Sequence, residues 1–260
     1  MKSMPFLPAR FFAFCLGALA LPASLHAAAI TLDWNQVVWT LGQLSQSFDI
    51  DPANPGNDVT VTITDSAGRI SQPVSGTTLI TGGVSPANKT LQLVANFATN
   101  LESISVRIDF NYLAGVREVN FFVHDIDGDL NSWREEVRGI SATGDVLPNF
   151  APTQLLAVNA SPTFQITGAG LAQLLTASSL SDNNLSNGTA SVSFGPQLVR
   201  TTGFTYGTST TGSFDPIDSG ISLGTVTYTP NPVPEPSSAT LLLSAVSIAG
   251  FFRMRVKAAR

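Results

Sequence analysis

Ser103-Ile104-Ser105-Val106-Arg107-Ile108-Asp109-Phe110 decides the fold. Ile104, Val106, Ile108 and Phe110 fall on one face; Ser103, Ser105, Arg107 and Asp109 fall on the other. A period of two marks a strand with one face buried and one in water. The alternation recurs on both sides of this stretch. It runs from Val59 to Thr64, with Ser66-Ala67-Gly68 as the turn, and through most of Leu91 to Phe97. Further strands are expected at Val116–Val123, Val137–Ala142, Thr163–Ile166, Ala190–Phe194, Gly203–Tyr206 and Thr225–Tyr228. Gly, Asn, Asp and Pro punctuate them, as an antiparallel sheet requires. The best helical candidate is Leu171–Leu180, which runs into the turn-rich Ser181-Asp182-Asn183-Asn184.

Stacking two sheets is the economical way to bury so many half-apolar strands. The expected fold is therefore all-β: an antiparallel β-sandwich, jelly-roll-like, with at most one or two short helices. No strict internal repeat occurs. Boundaries near Ala87-Asn88-Lys89, or between Asn149 and Pro162, lack linker composition, so residues 30–230 read as one domain.

Charge narrows the partners. Between Ala28 and Pro232 there are seven basic and seventeen acidic residues, a net charge of −10. The whole-chain value of −5 hides this because both ends are basic. An acidic domain repels phosphate backbones, which excludes nucleic acid as a partner, and it suits divalent cations. The single cysteine, Cys15, lies in the leader described next, so the mature protein has no disulfide or thiol chemistry.

The two ends read as addresses. Residues 1–29 have signal-peptide anatomy: Lys2 and Arg10, then the apolar run Phe11–Leu21, then Pro22 and small residues at Leu25-His26-Ala27 or Ala27-Ala28-Ala29 for cleavage. The other reading, a retained anchor, needs a longer run. Residues 231–260 form a second, three-part segment. Asn231-Pro232-Val233-Pro234-Glu235-Pro236 is a stiff, extended linker. Ser238–Phe252 is apolar, and Arg253, Arg255, Lys257 and Arg260 close the chain. Fifteen helical residues reach about 22 Å, short of a ~30 Å hydrocarbon core, and snorkelling arginines with local thinning cover part of the gap. The basic end stays cytoplasmic by the positive-inside bias, which places the preceding domain outside, as the signal peptide also demands.

This tail resembles the PEP-CTERM sorting signal, with Pro234-Glu235-Pro236, a single transmembrane sorting helix and a basic membrane-stop cluster in order at the C-terminus. The resemblance implies that Pro234, Glu235 and Pro236 are recognised by an exosortase-type membrane protease, which cuts near them. It also implies a Gram-negative host that makes exopolysaccharide and biofilm. The route would be export, an inner-membrane-anchored intermediate, then the cell surface or extracellular matrix. A plain C-terminal anchor is the alternative.

One stretch carries chemistry. Asp125, Asp127 and Asp129 follow a β-run at spacing i, i+2, i+4, and carboxylates so close repel one another unless a cation holds them. Ca²⁺ takes six to eight hard oxygens, and Asp125, Asp127, Asp129, Asn131 and Glu136 are the candidate ligands. Glu136 stands where an EF-hand loop places its bidentate Glu. Leu130 replaces the turn glycine, however, Ser132 replaces an apolar residue, and the flanks read as strand, so the stretch is not an EF-hand. A Ca²⁺ loop in a β setting and a solvated acidic hairpin both remain open. Phe121-x-x-x-Asp125-Ile126-Asp127-Gly128, then Trp133, a charged pair and Val137-x-Gly139, loosely resembles a β-sandwich module of bacterial surface and adhesin-like proteins. That resemblance implies surface placement.

Histidine argues against catalysis. His26 leaves with the leader, so His124 is alone, and one His builds neither a multi-His zinc site nor a triad with its neighbour Asp125, which points to the other strand face. The expected function is a non-enzymatic structural, adhesive or carbohydrate-associated surface protein. The alternative is an exported carbohydrate-active enzyme, a glycosidase or lyase, since that chemistry needs only carboxylates on a β scaffold. Trp34, Trp39 and Trp133 are either sugar platforms or core residues.

Overall fold

A computed structural model describes residues 27–78, 89–128, 133–143, 154–158, 161–168, 172–180, 186–209 and 219–232. Residues 1–26, most of the expected signal peptide, and the residues from 233 onward, with Pro234, Glu235, Pro236, Arg253, Arg255, Lys257 and Arg260, lie outside them, as do Asp129 and Asn131. Ala27–Val233 form one compact unit. Among the described residues no helix is long and apolar enough to cross a membrane.

The protein is all-β and antiparallel. One sheet holds β1 (Ile30–Leu32), β4 (Ser75–Thr78), β5 (Lys89–Ala95), β7 (Val116–His124), β9 (Gln154–Ala157), β12 (Ala190–Ser193) and β14 (Ser219–Pro230). The other holds β2 (Ser45–Phe48), β3 (Val59–Thr64), β6 (Ser103–Phe110), β8 (Glu135–Thr143), β10 (Phe164–Thr167), β11 (Leu174–Ala177) and β13 (Thr201–Thr208). The pairing is nested. β5 pairs with β14, β6 with β13, β7 with β12 and β8 with β11, so the chain returns along its own first half in reverse order. β14 also pairs with β7, and β13 with β8, which joins each set into one sheet.

Alternation places the core. Ile104, Val106, Ile108 and Phe110 of β6 are buried, as are Val59, Val61 and Ile63 on its partner β3. They share one cluster with Leu91, Leu93, Phe121, Val123, Val192, Ile221 and Leu223 of the other sheet. Rings cross between the sheets: Phe110 meets Tyr228 at 4.9 Å, and Phe121 stacks on Phe204 at 6.1 Å. Trp34 and Trp39 pack edge-on and join Phe48, and the Trp34 Nε1–H donates to the Gly224 carbonyl at 2.8 Å. Both tryptophans are buried, which makes them core residues rather than sugar platforms; Trp133 is half-buried.

Residues 172–180 correct the helix expected at Leu171–Leu180. Leu174–Ala177 is a strand, with Leu175 and Ala177 buried, held between β10 and β8. A short apolar run suits a helical turn or a strand equally, and the open edge of β8 decided it. No α-helix occurs among the described residues. The strands β1, β2, β4 and β9 were not anticipated. They are three or four residues long, too short to show a period.

Candidate functional site

The acidic loop begins where β7 ends. Asp125 adopts φ 67°, a left-handed conformation that Asp tolerates better than most residues. The turn buries Ile126, whose N–H donates to the Gly188 carbonyl at 2.9 Å, and leaves Asp125 and Asp127 half-buried. The Thr163 hydroxyl donates to the Ile126 carbonyl at 2.6 Å. Gly128 is demanded by a close approach: a Cβ there would lie 2.6 Å from the Trp133 carbonyl oxygen. The two arms of the loop therefore touch.

The carboxylate that meets Asp127 belongs to Glu135, not Glu136. The Asp127 N–H donates to Glu135 Oε2 at 3.1 Å, and the Glu135 N–H donates to the Asp127 carbonyl at 3.1 Å. Glu136, next along β8, points to the opposite face, where Arg138 Nη1 donates to its Oε1 at 2.9 Å. Among the described residues no group of three or more His, Asp or Glu stands together to hold a metal. Of the residues read as Ca²⁺ ligands, Asp125 and Asp127 share the loop, Glu136 is engaged elsewhere, and Asp129 and Asn131 lie outside the described residues.

Glu135 is the residue that sequence reasoning missed. Its carboxyl is fully buried, and Tyr206 Oη–H donates to its Oε1 at 2.9 Å. The Tyr206 hydroxyl also shares a short hydrogen bond with Ser219 of the facing sheet. Burial pushes the Glu135 pKa well above the carboxylate range, and the negative charges of Asp127 and Asp125 push it the same way. The two donors oppose this without winning. Nothing local in Trp-Arg-Glu-Glu tells which Glu faces inward.

His124 is a packing residue. It is 8% exposed, stacks on Phe122 at 5.9 Å and pairs through Nδ1 with the Thr189 hydroxyl at 3.0 Å. Burial lowers its pKa to about 4, so the ring is neutral at pH 7. A second buried acid, Asp58, clamps the 49–58 loop. Its Oδ2 accepts from the Ile50 and Asp51 N–H groups at 2.6 Å each, and its Oδ1 accepts from Asn54 Nδ2 at 2.7 Å.

The outward face of the second sheet carries a different site. A cavity of about 210 Å³ opens over β6, β13 and β8. Its walls carry Ser105, Arg107, Thr143, Thr201 and Thr205, and its floor includes Gly139 and Gly203. Gly139 has φ 63° beside the register shift between Gly203 and Thr205. A Cβ on Gly203 would lie 2.2 Å from the Val106 carbonyl oxygen, so the neighbouring strand forbids any side chain there. Asp109 organises the rim: it accepts from Arg107 Nε at 2.9 Å and from the Thr201 hydroxyl at 2.7 Å. The alternation marks Ser105, Arg107 and Asp109 as outward-facing, but Thr143 and Thr201 lie beyond the strands expected at Val137–Ala142 and Gly203–Tyr206, and the meeting of all of them depends on the pairing of three strands. No known family model, curated protein or solved structure matches the chain.

Proposed function

We propose that this chain is an exported surface or matrix protein of a Gram-negative bacterium, non-enzymatic, structural, adhesive or carbohydrate-associated, sorted through its C-terminal tail. The observation that carries this reading is the order Pro234-Glu235-Pro236, apolar segment, basic cluster at the C-terminal end, matched by a leader at the other end. The partners are an exosortase-type processing enzyme, the inner membrane transiently, and exopolysaccharide at the destination.

The folded domain supports this in three ways. Ile30 pairs with Tyr228, so residues 27–29 and 231–232 leave the domain side by side. That arrangement suits a domain whose two ends both lead to one membrane during export. The stalk is also pinned: the Asn231 N–H donates to the Gly115 carbonyl at 3.0 Å, and its Nδ2 donates to the Ala114 carbonyl at 3.2 Å. Finally, the nested strand pairing supports a jelly-roll-like sandwich, a scaffold whose edge problem is managed by two stacked sheets.

The test is mass spectrometry of protein recovered from outside native cells. The expected chain begins near Ala28–Ile30 and ends before Arg253. An extracellular chain still ending at Arg260, or protein found only in the cytosol, overturns the reading. Polysaccharide digests with the same material should release no new reducing ends.

A further inference from the structure

We infer that the cavity over β6, β13 and β8 is a saccharide-binding cleft that takes one neutral sugar ring of a polymer. The inference deepens the carbohydrate-associated part of the proposed function and rests on it for biological context only; the chemistry stands on the cleft itself.

The cleft is built into the sheet. Gly139 and Gly203 take side chains away from the middle of the exposed face, and the Val106 carbonyl, 2.2 Å from where a Cβ would sit, keeps Gly203 bare. The resulting space of about 210 Å³ is smaller than drug-sized pockets of roughly 300–1,000 Å³ and suits a single small ring. Its floor is the backbone of Val106, Ala142 and Phe204, whose side chains turn into the core, together with the bare Cα atoms of Gly139 and Gly203, against which the C–H face of a ring can lie.

The rim supplies polar contacts of both senses. Ser105 and Thr205 approach at 3.4 Å, a long hydrogen bond that a ligand hydroxyl can replace. Hydroxyls both donate and accept, as sugar hydroxyls do. Arg107 sits 2.8 Å from Asp109, which also holds Thr201, so the rim is organised before a ligand arrives and its charges cancel. A cancelled pair gives no net attraction for uronates or sulfates, which is why the ligand is neutral. One shallow ring site binds weakly, but a repeating polymer raises the local concentration of rings and converts weak contacts into retention.

Affinity electrophoresis of the folded exported protein tests this, with gels containing dextran, galactomannan or hydroxyethylcellulose as neutral probes and polygalacturonate as the acidic one. Retardation is expected in at least one neutral gel. Ser105→Tyr, which fills the cleft from an outward position, should abolish it, whereas Ser47→Tyr, on the same face but two strands away on β2, should leave it unchanged. Thr143→Ala, a variant that adds no bulk, should weaken it by about three- to tenfold, the loss of one hydrogen bond. No retardation in any neutral gel, retardation by polygalacturonate alone, or neutral binding that survives both Ser105→Tyr and Thr143→Ala overturns the cleft. Loss of the cleft leaves the mass-spectrometric result on the tail untouched, and the converse also holds, so the two readings fail separately.

Discussion

Glu135 and His124 sit close in sequence and respond to pH in opposite directions. Glu135 has its pKa raised in the folded state, so the stability its burial allows is fully present below the ordinary carboxylate range. That stability is lost as pH rises through the raised value. His124 has its pKa lowered to about 4 from 6.5, so its contribution is full above 6.5 and fades as pH falls toward 4. Melting temperature against pH should show both limbs. Glu135→Gln should flatten the alkaline limb and leave the plateau nearly unchanged, because the amide copies the protonated acid: its oxygen accepts from the Asp127 N–H and its NH₂ donates to the Tyr206 hydroxyl, which turns to Ser219. An alkaline limb that survives Glu135→Gln assigns it to another group. Asp58 gives a sharper test. Asp58→Ala orphans the buried Asp51 N–H, at about 1–3 kcal/mol, and the part-buried Ile50 N–H at less, so denaturant unfolding should show a loss on the order of 2 kcal/mol or more. A loss below 1 kcal/mol would mean that the 49–58 loop stands without its clamp.

At the scale of elements, β14 is the spine of the first sheet. Its twelve residues pair with β7 along one edge and with β5, then β1, along the other. β7 lies against it and sends Phe121 across to Phe204. Phe121 is fully buried, so Phe121→Ala should cost about 3–5 kcal/mol, which at this size lowers the melting temperature by roughly 10 °C. A drop of only a degree or two would deny the ring its place between the sheets. The loop from β7 to β8 has its own test. The calcium reading predicts that Ca²⁺ raises the melting temperature, that EDTA reverses the rise, and that Asp127→Ala abolishes it. Superimposable melting curves discard the ion and leave an acidic hairpin stapled by Asp127 and Glu135.

For the molecule as a whole, sequence and tertiary structure divide the work along a physical line. Strands were legible wherever a run was long enough to alternate. Val59–Thr64 and Ser103–Phe110 begin and end where their periods do, because one face buried and one wet leaves a mark in every second residue. The all-β class followed from those runs. Leu174–Ala177 escaped because four residues cannot declare a period and only a free edge on β8 recruited them. The candidate sites escaped more deeply. Whether Glu135 or Glu136 turns inward is a matter of register, and a shift of one residue exchanges every face of a strand. Gly139 and Gly203 make a cleft only because β8 and β13 are neighbours. By itself the sequence determined the strand periods, the charge and the proposed addresses at its ends, all properties that neighbouring residues carry among themselves. Only the tertiary structure decided which acid is buried, which tryptophans are core and where a ligand could rest, because these are properties of residues far apart in the chain and pressed together by the closing of two sheets.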